Sequence, residues 1–577
     1  MNRLITLFAV LALVATASIT AQDGGKTSSD APAPCDYLIV CADGLKASAD
    51  EWAAYRKGNG RNPKVVTLSE IAKAAEVDKA GMVEIKQHIE TAAKAISDPM
   101  TGFQVLLLGD CPNEDATSHD VKTEIPWFLT RQMDSNPTEQ RRKRVTTDNF
   151  YADIDNDENN LPEFAIGRIP ARSNEQVQMA LKKVKAYEAS GEGEWLRNLT
   201  FFAGEGRFGE QVDRMLEGLF TKFAEQTIDP KYTVRMTYAN INSSYAYVPR
   251  LFSDKVIEEA NAGALMLVYM GHGSYDRLDN MHVEKTRYPI LLGDDVAKFN
   301  IPDGKLPVML IVACQTGYMD HPQGSLCERI CFAEKAPVAV VASSRDSHPY
   351  SNTLLQKALV GEIIANRRGT LGEAFMRAKR ELILAEDPDR GQLEFMARFI
   401  IPKKDERDAL NRSHISMYNL TGDPGLRLRY PSLQAEKMSD ATWNDEKGFA
   451  HIKVHAPQFG PDNKELVWEC SVEVSRSKIP GELKTFVAAD LASSDAKKVK
   501  AAEEAIAANH AISNTKRVAT MKLTHIGVSK GGGIVEQHFE GKPEPALAPG
   551  DYILKLSARD SEGKAYGFTS LALTIKR

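Results

Sequence analysis

The sequence predicts an α/β protein with mostly parallel sheets, followed by a separate β-sandwich. Three observations carry that prediction. From Asp36 onward, short apolar runs alternate with stretches of helical period. The runs are continuously apolar rather than alternating, as strands covered on both faces must be. After residue 431 the pattern changes to period two punctuated by Gly, Pro and Asp, the grammar of an antiparallel sandwich.

The apolar runs are "DYLIV" (36–40), "QVLLLG" (104–109), "FAIGRI" (164–169), "LTFFAG" (199–204), "LMLVYMG" (265–271), "VMLIVA" (308–313) and "VAVVAS" (338–343). Between them, "MVEIKQHIETAAKAI" (82–96), "NEQVQMALKKVKAYE" (174–188) and "EQVDRMLEGLFTKFAEQ" (210–226) place apolar residues on one helical face. A chain of 577 residues is too long for one core. The pattern divides it into two α/β subdomains, 36–190 and 191–431, and a β-domain, 432–577. In the β-domain "FAHIKVHA", "LVWECSVEVS", "GDYILKLSARD" and "FTSLALTIKR" are the expected strands, and an Ala/Lys-rich helical insert at 495–511 interrupts them.

At the N-terminus one Arg precedes an apolar run, Leu4 to Ala15, that ends in small residues. A run this short reads as a secretory signal peptide, residues 1–21, ahead of a polar linker, 22–35. The protein is therefore expected to be secreted or held at the cell surface, with no transmembrane segment in the mature chain. A formal net charge of −6 and the lack of a dense Lys/Arg run argue against a nucleic-acid partner. Seven cysteines, an odd number, leave at least one free thiol in an oxidising compartment.

Two of the apolar runs end on reactive side chains. "LVYMGHGS" stops at His272 between two glycines, and "LIVACQTG" stops at Cys314. Ligands and catalytic groups of open parallel sheets gather beyond the carboxyl ends of the strands. Taken singly, a strand-end Cys is most often a small buried hydrophobe and a lone His a structural residue. Together they offer a nucleophile and the base that turns it into a thiolate. Gly273 and Cys314 each have a backbone N–H placed to hold an oxyanion. His282, His321 and His348 are the competing histidines, read as loop residues or pocket walls. Cys327 and Cys331, four apart on an expected helix, read as core thiols rather than zinc ligands.

The stretches "YMGHGSYD", "VACQTGYM", "CFAEKAPVAVVASS" and "NLTGDPGLRLR" resemble successive landmarks of the gingipain family of cysteine peptidases, and "CDYLIVCADGLKASADEWAAYRKGNGRNPKVVTL" resembles the opening of its catalytic domain. The resemblance covers about 36–430. It implies a caspase-like fold in two α/β subdomains with an immunoglobulin-like domain behind it, polypeptide substrates, and a Cys314–His272 dyad that needs no cofactor for catalysis. It also implies an acid beside the catalytic His shortly after a Trp-Leu pair, which falls on Glu205. Glu210 is the nearest carboxylate to the family's primary specificity pocket, where an acid would favour a basic residue before the cut. Tyr350, after "VVASS", is placed to supply an aromatic wall.

Asp153, Asp155 and Asp157 alternate as in calcium loops, although Glu158 stands where an EF-hand needs Gly and Phe164 where it needs the bidentate Glu. A solvated acidic loop is the competing reading, and resemblance to calcium-binding relatives favours structural Ca2+. The expected activity is that of a secreted cysteine endopeptidase. The alternatives are a sorting-signal peptidase or transpeptidase of the same family, and a non-catalytic adhesion protein attached to the cell surface through its C-terminal domain.

Overall fold

The computed structural model describes residues 34–576, apart from 114–115, 117, 132–143, 156–158, 208–227, 386–387, 400, 434–439 and 529–533. The expected signal peptide, most of the linker and the expected helix at 210–226 thus lie outside the described residues.

Each apolar run becomes a strand, and the strands form one large sheet. They are β1 (Tyr37–Cys41), β2 (Pro63–Thr67), β3 (Gln104–Leu108), β4 (Ala165–Ile169), β5 (Asn198–Ala203), β6 (Thr233–Tyr238), β7 (Met266–Met270), β8 (Val308–Val312), β9 (Ala339–Ser343) and β10 (Tyr418–Thr421). Their order is β2-β1-β3-β4-β10-β9-β8-β7-β5-β6. Neighbours run parallel except β9 and β10, which are antiparallel. Helices cover the faces, among them α1 (Lys46–Gly58), α2 (Met82–Lys94), α3 (Asn174–Glu188) and α4 (Pro349–Ile364). α3 shows why the sequence pattern works. Ser173 caps it by accepting from the N–H of Gln176, and Val177, Ala180, Leu181 and Val184 form one buried stripe.

The two expected α/β subdomains are halves of this single sheet. Strand patterns do not say which strands meet across a boundary, and here β4 meets β10 with Thr421 opposite Arg168. That seam is short, and side chains reinforce it. Asp423, just past β10, accepts from Tyr37 Oη at 2.6 Å, Trp52 Nε1 at 2.9 Å and Arg56 Nε at 3.0 Å. Arg56 Nη1 turns to Glu188 Oε1 at 2.9 Å. Arg56 and Asp423 are both buried. The strands approach so closely that a Cβ on Gly167 would sit 2.5 Å from the carbonyl oxygen of Gly422. Beside them the buried Arg168 binds Asp148 through Nε (2.9 Å) and Nη2 (2.6 Å), and its Nη1 donates to the carbonyls of Gly109, Asp110 and Ile125.

The C-terminal domain is an antiparallel sheet of seven strands: β11 (Asp440–Asn444), β12 (Phe449–Pro457), β13 (Leu466–Glu473), β14 (Arg517–Val528), β15 (Ile534–Glu544), β16 (Gly550–Asp560) and β17 (Tyr566–Ile575). Their order is β11-β12-β15-β14-β13-β16-β17. β11 lies against β17, so the sandwich is nearly closed into a barrel around Ile452, Val454, Val472, Leu554, Leu556 and Leu573. The helical insert is α5 (Ala496–Asn514), and it seats the domain on the edge strand β6. Asn514 Oδ1 accepts from the N–H of Met236 at 2.8 Å while Asn514 Nδ2 donates to Met236 O at 2.9 Å. At Met236 a side-chain amide thus satisfies both main-chain groups as a neighbouring strand would. Arg476 donates to the carbonyls of Asp229 and Tyr232, each at 2.8 Å. Among the described residues no helix is long and apolar enough to cross a membrane.

Removing one partner of a buried, hydrogen-bonded ion pair leaves the other charge without compensation. Asp423→Ala is expected to cost about 3–5 kcal/mol of unfolding free energy, read from urea denaturation. A loss below about 1 kcal/mol would show that the seam does not depend on this carboxylate.

Candidate active site

β7 and β8 pair in parallel from Met266 opposite Val308 to Met270 opposite Val312. His272 and Cys314 each stand two residues beyond the last pair. The register therefore brings them out at the same edge of the sheet on adjacent strands. Gly273 allows this closeness: a Cβ there would meet Thr316 Cγ2 at 2.7 Å and the carbonyl oxygen of Cys314 at 3.0 Å.

The thiol is held by the loop after β9. The N–H of Ser347 donates to Cys314 Sγ at 3.3 Å, and Sγ lies 3.6 Å from Ser347 O. In the first contact a backbone donor faces the sulfur, and in the second the thiol donates its proton to the carbonyl. The Ser347 hydroxyl, 3.9 Å from Sγ, accepts from Asn352 Nδ2 at 2.8 Å, and Asn352 Oδ1 accepts from Tyr418 Oη at 2.7 Å. The segment after Cys314 is pinned as well. The Gln315 N–H donates to Arg345 O at 3.0 Å, and Arg345 forms a buried two-pronged pair with Asp320 at 2.8 and 2.6 Å. The Arg345 guanidinium lies 4.1 Å from the centre of the Tyr318 ring.

His272 Nε2 lies 2.6 Å from the main-chain oxygen of Gly206. A carbonyl oxygen only accepts, so Nε2 carries the proton and Nδ1 is the basic nitrogen of the neutral ring. Tyr269 Oη donates to His272 O at 2.8 Å, fixing the backbone behind the imidazole.

Glu205 is brought to this end of the sheet, one residue before the carbonyl that orients His272, with Oε2 4.0 Å from His282 Nδ1. Glu210 lies outside the described residues. Tyr350 stands in the first turn of α4, its N–H donating to His348 Nδ1, and its ring is buried, 8 % exposed. Gly206, Ser347, Asn352 and Tyr418 belong to the site but escaped the sequence reading, since no spacing or residue type marks them out.

The acidic loop is arranged differently from an EF-hand. Ligand oxygens of Asp153, Asp155 and Glu163 lie within 4.8 Å of one another. Asp157 lies outside the described residues. Glu163 was missed because the chain doubles back, its N–H donating to Ala152 O at 2.8 Å. Glu163 Oε2 accepts from the N–H of Ile154 at 2.7 Å. Burial first, and the neighbouring aspartates after it, push the Glu163 carboxyl up to about 7.

The other cysteines are poor nucleophiles. Burial pushes Cys331 up to about 11 and Cys41 and Cys470 up to about 12, and Cys111 and Cys327 well above the usual thiol value. All seven are free thiols.

A family model described as peptidase family C25 matches residues 30–429. No curated protein matches the chain. A solved structure described as a protease is 14% identical with a TM-score of 0.50, covering 94% of this chain and 97% of its own. The crystal structure of dimeric latent PorU from Porphyromonas gingivalis is 13% identical with a TM-score of 0.33, covering 94% of this chain and 43% of its own.

Iodoacetamide is expected to modify Cys314 first, with the half-exposed Cys35 behind it and the five buried thiols last, read by peptide mass mapping over time. Equal early labelling of a buried cysteine would contradict the environment described for Cys314.

Proposed function

The chain belongs to peptidase family C25, a family of cysteine peptidases, and on that premise we propose that it hydrolyses peptide bonds with Cys314 as nucleophile and His272 as its base. The observation that supports this reading most is the β7–β8 register, which delivers a thiol and an imidazole of defined tautomer to one edge of the sheet.

Nδ1 of His272 takes the thiol proton, and the thiolate, assisted by the Ser347 N–H, attacks the scissile carbonyl. The N–H groups of Gly273 and Cys314 receive the oxyanion. The imidazolium, with the negative charge of Glu205 nearby, then protonates the leaving amine, and water resolves the acyl-enzyme. Glu210, which follows β5 in the sequence, supports a preference for a basic residue before the cut, through a charge-assisted hydrogen bond. The apolar N-terminal run supports export.

Cys314→Ala and His272→Ala are each expected to lower kcat/KM on peptide substrates by at least about a thousandfold. A Cys314→Ala protein that keeps about a tenth of the activity would end this assignment. Matched Arg, Lys, Ala and Leu substrates test the preference: equal rates refute it, and an unchanged preference in Glu210→Gln removes that residue from the role.

The Asp153, Asp155 and Glu163 carboxylates fit a hard, oxygen-seeking cation, and in our reading they hold a structural Ca2+. EGTA should lower the melting temperature of the wild-type protein and leave that of Asp153→Asn unmoved, in a thermal scan at fixed ionic strength. A wild-type melting temperature indifferent to EGTA and to added Ca2+ would refute the site.

A further inference from the structure

The carbonyl that orients His272 has a clamp of its own. Gly206 lies in the short segment that leaves β5, and the next residue, Arg207, has φ of 52°. Non-glycine residues persist in that conformation only where their surroundings impose it. Arg207 Nη2 lies 3.0 Å from both carboxylate oxygens of Asp279, and Nη1 lies 2.9 Å from His282 Nε2. Asp279 is itself buried, 8 % exposed. Its N–H donates to Tyr269 Oη at 3.3 Å, the same hydroxyl that donates to His272 O. A closed circuit results: Asp279 to Arg207, through the chain to Gly206, to the His272 ring, to the His272 carbonyl, to Tyr269 and back to Asp279.

We propose that Arg207 and Asp279 are positioning residues for the peptidase reaction, their ion pair setting where the Gly206 carbonyl stands and hence how His272 is presented to Cys314. The inference rests on the Cys314–His272 reading above. Exposed ion pairs contribute little to stability, and Arg207 is half-exposed. The consequence of this pair is therefore sought in geometry rather than in folding. A main-chain carbonyl orients an imidazole only as well as its own segment is fixed, and no regular element fixes residues 204–207.

His282 is the third member of the clamp. A guanidinium only donates, so His282 Nε2 accepts and the ring is neutral. The charges facing it are Arg207 and Glu205 from the segment after β5, Asp279 from its own stretch, and Arg287 opposite it in the Asn280–Val283/Thr286–Pro289 hairpin. Burial first, then Arg207, hold its pKa below the ordinary histidine value. Protonation removes the acceptor and sets two cations against each other. The clamp is accordingly complete at neutral pH and loosens as pH falls through the His282 pKa.

The test uses the full chain with steady-state kinetics and with iodoacetamide as a probe of Cys314. Arg207→Gln and Asp279→Asn should each lower kcat about 10- to 100-fold, with KM held within about twofold. Alkylation of Cys314 should slow in both while the melting temperature stays near that of the wild type. Arg207→Lys, which keeps a cation beside Asp279, should restore part of the loss. His282→Gln, which keeps an acceptor for Arg207 but cannot be protonated, should move the acid limb of the kcat profile to lower pH. Unchanged kcat in both Arg207→Gln and Asp279→Asn would overturn the proposal, as would a loss confined to KM. His272→Ala separates the two levels. If it leaves the alkylation rate unaltered, the dyad falls and the clamp with it. If it slows alkylation and the Arg207 and Asp279 variants do not, the clamp alone falls.

Discussion

Five consecutive backbone pairings between β7 and β8 govern what the carboxyl edge of the sheet can do. Side chains alternate faces along a strand, so a slip of one residue would turn His272 and Cys314 to opposite sides. The two strands are almost wholly buried, and their own apolar pattern does not alternate. Their register is held from outside, by β5 against β7 and β9 against β8. Four parallel strands in mutual alignment thus fix one juxtaposition, and the loops after β5, β8 and β9 supply the remaining polar groups of the site.

Buried ion pairs fix parts of these loops and of the seam behind them. Arg345 and Asp320 tie the segment after β8 to the one after β9, and Arg168 and Asp148 gather three carbonyls behind the seam. Arg56 and Asp423 join residues 367 apart in the chain. Buried pairs of this kind add little net stability over an apolar replacement, yet the loss of one partner leaves the other charge buried without compensation. In two of them an arginine on a regular element, Arg56 on α1 or Arg168 on β4, reaches a carboxylate in an adjoining connection.

What the sequence disclosed follows from the range of each signal. The seven apolar runs and the helical stripe at 174–188 are local patterns, and all of them form the expected elements. His272 and Cys314 were legible because each terminates such a run. The joining of two expected sheets into one was not, since Thr421 and Arg168 meet through a pairing that no periodicity encodes. Strand β6, "TVRMTY", was also missed, because its half-polar pattern reflects an edge position beneath α5. Glu163 was hidden by an assumed loop type, and Ser347, Asn352 and Tyr418 by the ordinariness of their residue types.

The amide of Asn514 on Met236 has a consequence for the chain as a whole. An outermost strand with bare N–H and C=O groups is a template on which a second copy can add itself. Here that template is occupied by a residue from the far end of the sequence. Scission of the polypeptide between the two domains would leave the halves held by Asn514, Arg476 and the insert helix rather than free to diffuse apart. The C-terminal domain thereby covers the middle of an edge that another strand would otherwise find open.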